Sequence, residues 1–309
     1  MRYYLGVDLG GTTTKMGLFQ TDGTLIEKWE IPTRRRQEVD VVLPDIASAL
    51  QEKIKERQIG KECVEGVGIG VPAAVDKEGY VKRADNLNWN DKHVRRELED
   101  LTGWKVKVGN DANVAALGEM WKGGGVGYDN LVMITLGTGV GCGIIVNGQI
   151  LTGAHGGSGE LGHMFVEHNE TLSCDCGKTG CLEQYASATG IVRLTKRYLE
   201  KHEEETVLDI HTVTAKDVFD AVKAGDAVAM KIAEQFGAYL GHALSRVGVI
   251  LDPEVFVIGG GVSKAGEILL KYIQKYYIEK VFWPSKDTKF TLAKLGNDAG
   301  IYGAVKMLL

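Results

Sequence analysis

A buried strand that breaks into a glycine- and threonine-rich turn and then resumes occurs twice in this chain of 309 residues. The first copy reads Leu5-Gly6-Val7-Asp8-Leu9-Gly10-Gly11-Thr12, resumes over 15–19 and turns again at Thr21-Asp22-Gly23. The second reads Val132-Met133-Ile134-Thr135-Leu136-Gly137-Thr138-Gly139, resumes over 144–146 and turns at Asn147-Gly148. Short apolar runs joined by glycine turns read as β-hairpins. A match of this length also arises by chance. Taken as a repeat, it predicts a duplicated architecture, with one phosphate-binding hairpin in each of two domains.

The rest of the chain alternates strands with helices. Ile46, Ala49, Leu50 and Ile54 recur at helical spacing over 41–57. A strand over 64–71 is closed by Pro72, and helices over 93–101 and 112–121 flank a strand at 106–108. Past the second hairpin the pattern predicts one or two helices over 216–249, broken near Gly225-Asp226, and a strand over 255–258 that runs into Gly259-Gly260-Gly261. A helix over 265–280, a strand over 290–295 and a closing helix from Asp298 complete it, while 201–205 is a charged loop or helix end. This is an α/β protein. The expected division is a small domain over 1–110 completed by the C-terminal helix 298–309, and a large domain over 111–297. No low-complexity linker separates them, so a tight hinge is expected.

A net charge of −5 leaves no basic footprint for nucleic acid. Arg34, Arg35 and Arg36 form the one basic cluster, short enough to be a solvated face. No uncharged apolar run approaches the roughly 20 residues of a membrane helix. The first residues already read as strand rather than as a secretory signal, so a cytoplasmic location is expected.

His163, Cys174, Cys176 and Cys181 read H-x10-C-x-C-x4-C. One imidazole and three thiolates make a closed tetrahedral zinc shell, with no position left for a reacting water, so this zinc would be structural. The plainer alternative is three buried thiols and a surface histidine. Three of the five cysteines fall within 174–181, among polar and glycine neighbours, which favours the metal. Glu160 and Glu183 flank the cluster in sequence, and a metal clamping His163 to Cys181 would bring these carboxylates near each other.

Three glycine turns follow strands, at Gly10-Gly11-Thr12, Gly137-Thr138-Gly139 and Gly259-Gly260-Gly261. Glycine lets backbone N–H groups approach anionic oxygens. One such turn means little, because tight hairpins need glycine anyway; three together point to a nucleotide. No Walker pattern, protein-kinase motif or G-x-G-x-x-G with a later acidic residue occurs. Asp8, beside the first turn, could hold Mg²⁺ or simply shape the turn. Lys15 could reach phosphate or point to solvent. Asn110-Asp111 is the candidate reactive pair, with Asp111 as the base for an attacking hydroxyl; the competing role for Asp111 is helix capping. Asn86 offers amide hydrogen bonds to a polyhydroxylated ligand, or is an ordinary loop asparagine.

In order along the chain stand D-L-G-G-T at 8–12, G-V-P at 70–72, N-D-A-N-V-A-A-L-G-E at 110–119, L-G-T-G-V-G-C-G at 136–143, G-E-L-G-H at 159–163 and C-D-C-G-K-T-G-C-L-E at 174–183. Together they resemble the ROK family of sugar kinases and repressors, from Leu5 to the last helix, and are most similar in texture to its bacterial glucokinases. The resemblance implies an actin-like ATPase fold: two RNase-H-like domains with nucleotide and sugar in the cleft. It implies Asp111 as general base for the sugar 6-hydroxyl, and Asn110, Glu160, His163 and Glu183 as ligands of the other hydroxyls. It implies Asp8, Gly10, Gly11, Thr12, Gly137, Thr138 and Gly139 around the phosphates and Mg²⁺, and Gly259, Gly260 and Gly261 near the adenosine. Two positions depart from the family pattern. Many members place lysine directly after the first threonine, where this chain has Thr13-Thr14-Lys15, and Cys142 stands where glycine is frequent.

The expected activity is ATP-dependent phosphorylation of a hexose at its 6-hydroxyl, glucose to glucose 6-phosphate, with ATP, Mg²⁺ and structural Zn²⁺. N-acetylmannosamine, N-acetylglucosamine, mannose, fructose or allose remain alternative acceptors, since they differ by single groups. A sugar-sensing regulator would need a DNA-binding segment before the first strand, where only Met1 and Arg2 stand. An actin-like assembly ATPase would leave the zinc cluster unexplained. A homodimer is expected, because dimers are common in the family resembled.

Overall fold

The computed structural model describes residues 1–34 and 40–309. Arg35 and Arg36 of the basic cluster lie outside the described residues; Arg34 is exposed and pairs with Asp45 at 2.6 Å.

The first hairpin forms as expected: β1 (Tyr3–Leu9) pairs antiparallel with β2 (Thr13–Gln20), placing Asp8 opposite Lys15. In the first half of the chain, two features lie outside the sequence-based expectation. The edge strand β3 (Leu25–Pro32) alternates half-buried and exposed residues against β2, in a run whose glutamates and lysine mask its periodicity. After α1 (Val42–Glu56) and β4 (Val64–Val71), β5 (Tyr80–Ala84) and β6 (Trp89–His93) form the second, a two-stranded hairpin of their own. α2 (Val94–Thr102) stops at Gly103, whose φ of 73° is left-handed. β7 (Val106–Asn110) leads straight into α3 (Asp111–Lys122). The sheet order is β3-β2-β1-β4-β7, with β1, β4 and β7 parallel.

The second half repeats this plan. β8 (Leu131–Leu136), β9 (Val140–Val146) and β10 (Gln149–Ile150) come first, followed by the short α4 (Glu183–Ala186) and α5 (Ala188–Leu199). α6 (Ala215–Lys223) starts at a reciprocal cap, in which the Thr214 side chain accepts from Asp217 N–H while the Asp217 carboxylate accepts from Thr214 N–H. α7 (Ala227–Leu251) is capped by Asp226 and ends at left-handed Asp252, ahead of Pro253. β11 (Val255–Gly259), α8 (Glu267–Lys280) and β12 (Lys289–Leu292) follow. The order is β10-β9-β8-β11-β12, and β8, β11 and β12 are parallel. Both sheets therefore run third-second-first-fourth-fifth in their own strand order. The short echo between the two hairpins marks a repeat of the whole sheet plan.

The chain forms two compact units, one of Met1–Gly127, Gly143–Ser158 and Leu295–Leu309, the other of Tyr128–Cys142 and Gly159–Lys294. The division expected after Asn110 falls inside the first unit, because α3 packs against the closing helix α9 (Ala299–Lys306). The two helices touch backbone to backbone: a Cβ on Gly303 would lie 1.6 Å from the Val114 carbonyl oxygen. The core of the first unit includes Leu5, Val7 and Leu9 of β1 with Val67, Ile69 and Val71 of β4, all at 0% exposure, packed with the buried side of α1. No helix among the described residues is long and apolar enough to cross a membrane.

Candidate active site

In the first unit the candidate residues gather at the carboxyl ends of the parallel strands, where open α/β sheets bind their ligands. Asp8 near the end of β1 is level with Gly70 of β4, and Val71 is level with Asn110 of β7. Asp8 lies against the first turn of α9, so tightly that a Cβ on Gly300 would come 2.4 Å from its Cγ. Burial raises the Asp8 pKa, and Lys15 partly offsets this. A buried carboxylate at a strand end favours a cationic partner, so its setting fits a magnesium ligand. Lys15 itself donates to the Asn297 carbonyl at 3.3 Å.

The first glycine turn is held by backbone bonds, Gly10 N–H to the Thr13 carbonyl at 3.1 Å and Thr33 N–H to the Thr12 carbonyl at 2.8 Å. The Thr33 hydroxyl also donates to the Gly10 carbonyl. Asn86, in a short 3₁₀ turn between β5 and β6, comes beside Gly11, with its Cβ 3.9 Å from where a Gly11 Cβ would stand. Thr33 and the β5–β6 hairpin were not marked by any sequence motif.

Asn110, rather than Asp111, performs the capping that competes with a chemical role. The Asn110 Oδ1 accepts from Asn113 N–H at 3.1 Å and its Nδ2 donates to the Ala73 carbonyl. Asp111 is the first residue of α3, and its Oδ1 accepts from Ala112 N–H at 2.8 Å.

In the second unit, Gly137-Thr138-Gly139 turns between β8 and β9 and is tied to the start of α5. Ala188 N–H donates to the Gly137 carbonyl and the Thr189 hydroxyl to the Thr138 carbonyl, both at 2.8 Å. Gly259 ends β11, and Gly260 follows at φ 84° with its Cα facing the Leu136 backbone, which a Cβ would meet at 2.5 Å. Beside Gly261 opens a cavity of about 320 Å³ whose walls include Ala188, Thr214, Phe219, Val262 and Ala265, with Lys216 and Lys264. An apolar slot with lysines beside a glycine turn suits a base and its phosphates. Only the Gly259–Gly261 signal was legible in sequence; the other walls come from α5, α6 and the turn after Gly260 and carry no linear motif.

Cys142 is buried in β9, and burial, reinforced by Glu160, pushes its thiol up to about 12. It is a core residue.

The four cluster residues converge: one ligand atom from each of His163, Cys174, Cys176 and Cys181 lies within 4.8 Å of all the others. Cys176 Sγ to Cys181 Sγ and Cys174 Sγ to His163 Nδ1 are both 3.6 Å. Zinc–sulfur bonds of about 2.3 Å give tetrahedral edges of roughly 3.8 Å, so the donor set fits zinc. Two β-bridges, Phe165 with Cys181 and Ser173 with Thr179, fold the segment into the ribbon that presents the thiols. His163 has its Nδ1 toward the thiols and its Nε2 toward Glu160 Oε2 at 4.0 Å. Glu183 Oε1 lies 3.6 Å from the same Nδ1 and 2.8 Å from Cys174 Sγ. Its Oε2 is packed on Gly139, where a Cβ would stand only 2.7 Å away. Glu160, His163 and Glu183 are thus one group, with Glu183 also against the second glycine turn.

The sequence matches the ROK family over residues 4–309. A glucokinase of Halalkalibacterium halodurans is 45% identical, covering 98% of this chain and 93% of its own. Among solved structures, a ROK hexokinase from Thermus thermophilus superposes with a TM-score of 0.82 at 30% identity, covering 98% of this chain and 97% of its own. A ROK family glucokinase from Streptomyces griseus, in complex with glucose and AMPPNP, does so at 0.76 and 32%, covering 99% of this chain and 98% of its own. The repeated sheets carry the actin-like ATPase plan, the family's sequence pattern runs almost end to end, and the chain accordingly belongs to the ROK family.

Proposed function

We propose that this protein transfers the γ-phosphoryl group of ATP to the 6-hydroxyl of a hexose, with glucose as the preferred acceptor. The observation that carries the reading is the grouping of Glu160, His163 and Glu183 around the four-ligand cluster, in a chain similar over its whole length to a glucokinase. Two carboxylates and an imidazole nitrogen can each bond a sugar hydroxyl, and Asn86 and Asn110 add amides.

Asp111 takes the 6-hydroxyl proton as that oxygen attacks the γ-phosphorus in line. The bond from phosphorus to the bridging oxygen breaks, and ADP leaves with the electron pair. N–H groups of the Gly10–Thr12 and Gly137–Gly139 turns stabilise charge on the transferred group, and the Gly259–Gly261 segment approaches the adenosine. Mg²⁺ bound with ATP would neutralise phosphate charge, with Asp8 as its protein partner, directly or through water. His163 and the three cysteines would hold zinc, which supplies fixed geometry and no reactive position. The protein works as a cytoplasmic homodimer in this reading, which light scattering on the purified protein tests for assembly state.

The acceptor is tested by kcat/KM for glucose, mannose, fructose, allose, N-acetylglucosamine and N-acetylmannosamine at one ATP concentration. Glucose should lead. An N-acetylhexosamine or fructose ahead by tenfold, about 1.4 kcal/mol in the transition state, would replace glucose and keep the sugar-kinase chemistry. No sugar-dependent ADP release with any acceptor would sink the reading.

A further inference from the structure

The segment between His163 and Cys174 is fastened by more than its cluster ligands. Glu170, midway along it, is buried, and its carboxylate accepts five hydrogen bonds. Arg197 of α5 supplies two, Nη1 to Oε2 and Nη2 to Oε1, both at 2.9 Å. The Tyr185 hydroxyl of α4 donates at 2.5 Å, and Thr171 and Leu172 N–H donate at 3.0 Å each. Gln184, the neighbour of Tyr185, adds a second tie: its Nε2 donates to the Leu172 carbonyl and its Oε1 accepts from Cys181 N–H. The three successive residues of α4 thus divide the work. Glu183 faces His163 and Gly139, while Gln184 and Tyr185 grip the segment from the other side.

Stability alone does not call for such a knot. Glu170 is buried while Arg197 is only half-buried, and taking a carboxylate out of water costs so much desolvation that well-packed apolar residues often serve as well or better. What five convergent donors on one carboxylate supply is a fixed direction, which an apolar contact lacks. We propose that the Glu170–Arg197–Tyr185 knot is a positioning device for the sugar site, locking the cluster segment to α4 and so adding to the metal's hold on the Glu183 carboxylate and the His163 imidazole. This rests on the reading of Glu183 and His163 as sugar ligands. Glu170 and Arg197 touch no reacting atom; they act through the two residues they align.

Zinc-loaded Glu170→Gln and Arg197→Met should show a KM for glucose raised about tenfold, with kcat within about twofold, KM for ATP unchanged and one zinc retained. Tyr185→Phe, which removes one donor of five, should show a smaller rise, and Arg197→Lys should recover part of the loss. A second readout needs no activity. After zinc is stripped with a chelator, a glutamate-specific protease should leave the wild-type segment 164–173 largely intact and cut that of Arg197→Met about tenfold faster. Should Arg197→Met fail to fold, Tyr185→Phe carries the same comparison. Folded, zinc-loaded variants with unchanged KM for glucose, or with KM raised equally for both substrates, overturn the proposal. So does equal cleavage of stripped wild type and variant. Wild-type protein that phosphorylates no sugar refutes the functional reading instead, and the protease comparison then decides the knot by itself.

Discussion

Asp111 and Asn110 divide two roles that one residue could have combined. Because Asn110 caps α3, replacing Asp111 by asparagine should leave the helix in place and remove only the proton acceptor. Asp111→Asn is expected to lower kcat by about 10²–10⁴ while glucose still binds. Near-normal kcat in the variant would return Asp111 to a structural part. Cys176 is the exposed thiol of the cluster, and Cys176→Ser leaves three good ligands for a four-coordinate metal. Elemental analysis of the wild type should give about one zinc per chain. The variant should lose it, melt at lower temperature and bind glucose more weakly, since Glu160 and Glu183 flank the cluster. Metal-free wild-type protein with full activity would contradict this.

At the scale of elements, the α3–α9 crossing is the most constrained contact in the first unit. A methyl on Gly303 has no room beside the Val114 carbonyl, and a Cβ on Gly118 would also clash, at 2.2 Å from the Ala299 carbonyl oxygen. Gly303→Ala should therefore separate the helices and cost about 1–3 kcal/mol or more by denaturant unfolding, as overpacked positions do. Because α3 begins at Asp111, kcat should fall as well; unchanged stability would mean that the crossing relaxes freely. The same contact explains why the unit boundary was not legible near Asn110. Glycines in α3 and α9 read as ordinary helix residues until the two helices are brought together. The parallel strands and most helices were legible because apolar spacing is local, whereas α4 and α5 were not assigned from sequence. β3 and the β5–β6 hairpin were not, because their charged and half-exposed residues blur the alternation.

For the whole molecule, Glu170 sets an expected acid limit. Its hydrogen bonds from Arg197, against some opposing burial, lower its pKa to about 2 from an ordinary 4.5. A carboxyl depressed in the folded state contributes stability fully above its unfolded pKa, and that contribution is lost as pH falls from about 4.5 toward 2. Asp8 works the other way, since its raised pKa means that protonation relieves a burial cost. Thermal melts over this range should show the wild type losing stability more steeply than Glu170→Gln. Parallel curves would place the acid sensitivity elsewhere.

The cluster spacing, the repeated glycine turns and the order of the family motifs were fixed locally by residue chemistry. Metal ligands, turn glycines and strand-end aspartates keep their types wherever the chain goes, so His163, Cys174, Cys176, Cys181 and the three turns could be named in advance. Tertiary structure alone decided what depends on distant segments meeting. It laid Glu183 against Gly139, seated Asp8 under α9, joined Glu170 to Arg197 and Tyr185, and walled the cavity beside Gly261 with residues from α5 and α6. Such contacts join residues far apart in sequence, and the helical or strand periodicity that places each residue on its own element is silent about its partner.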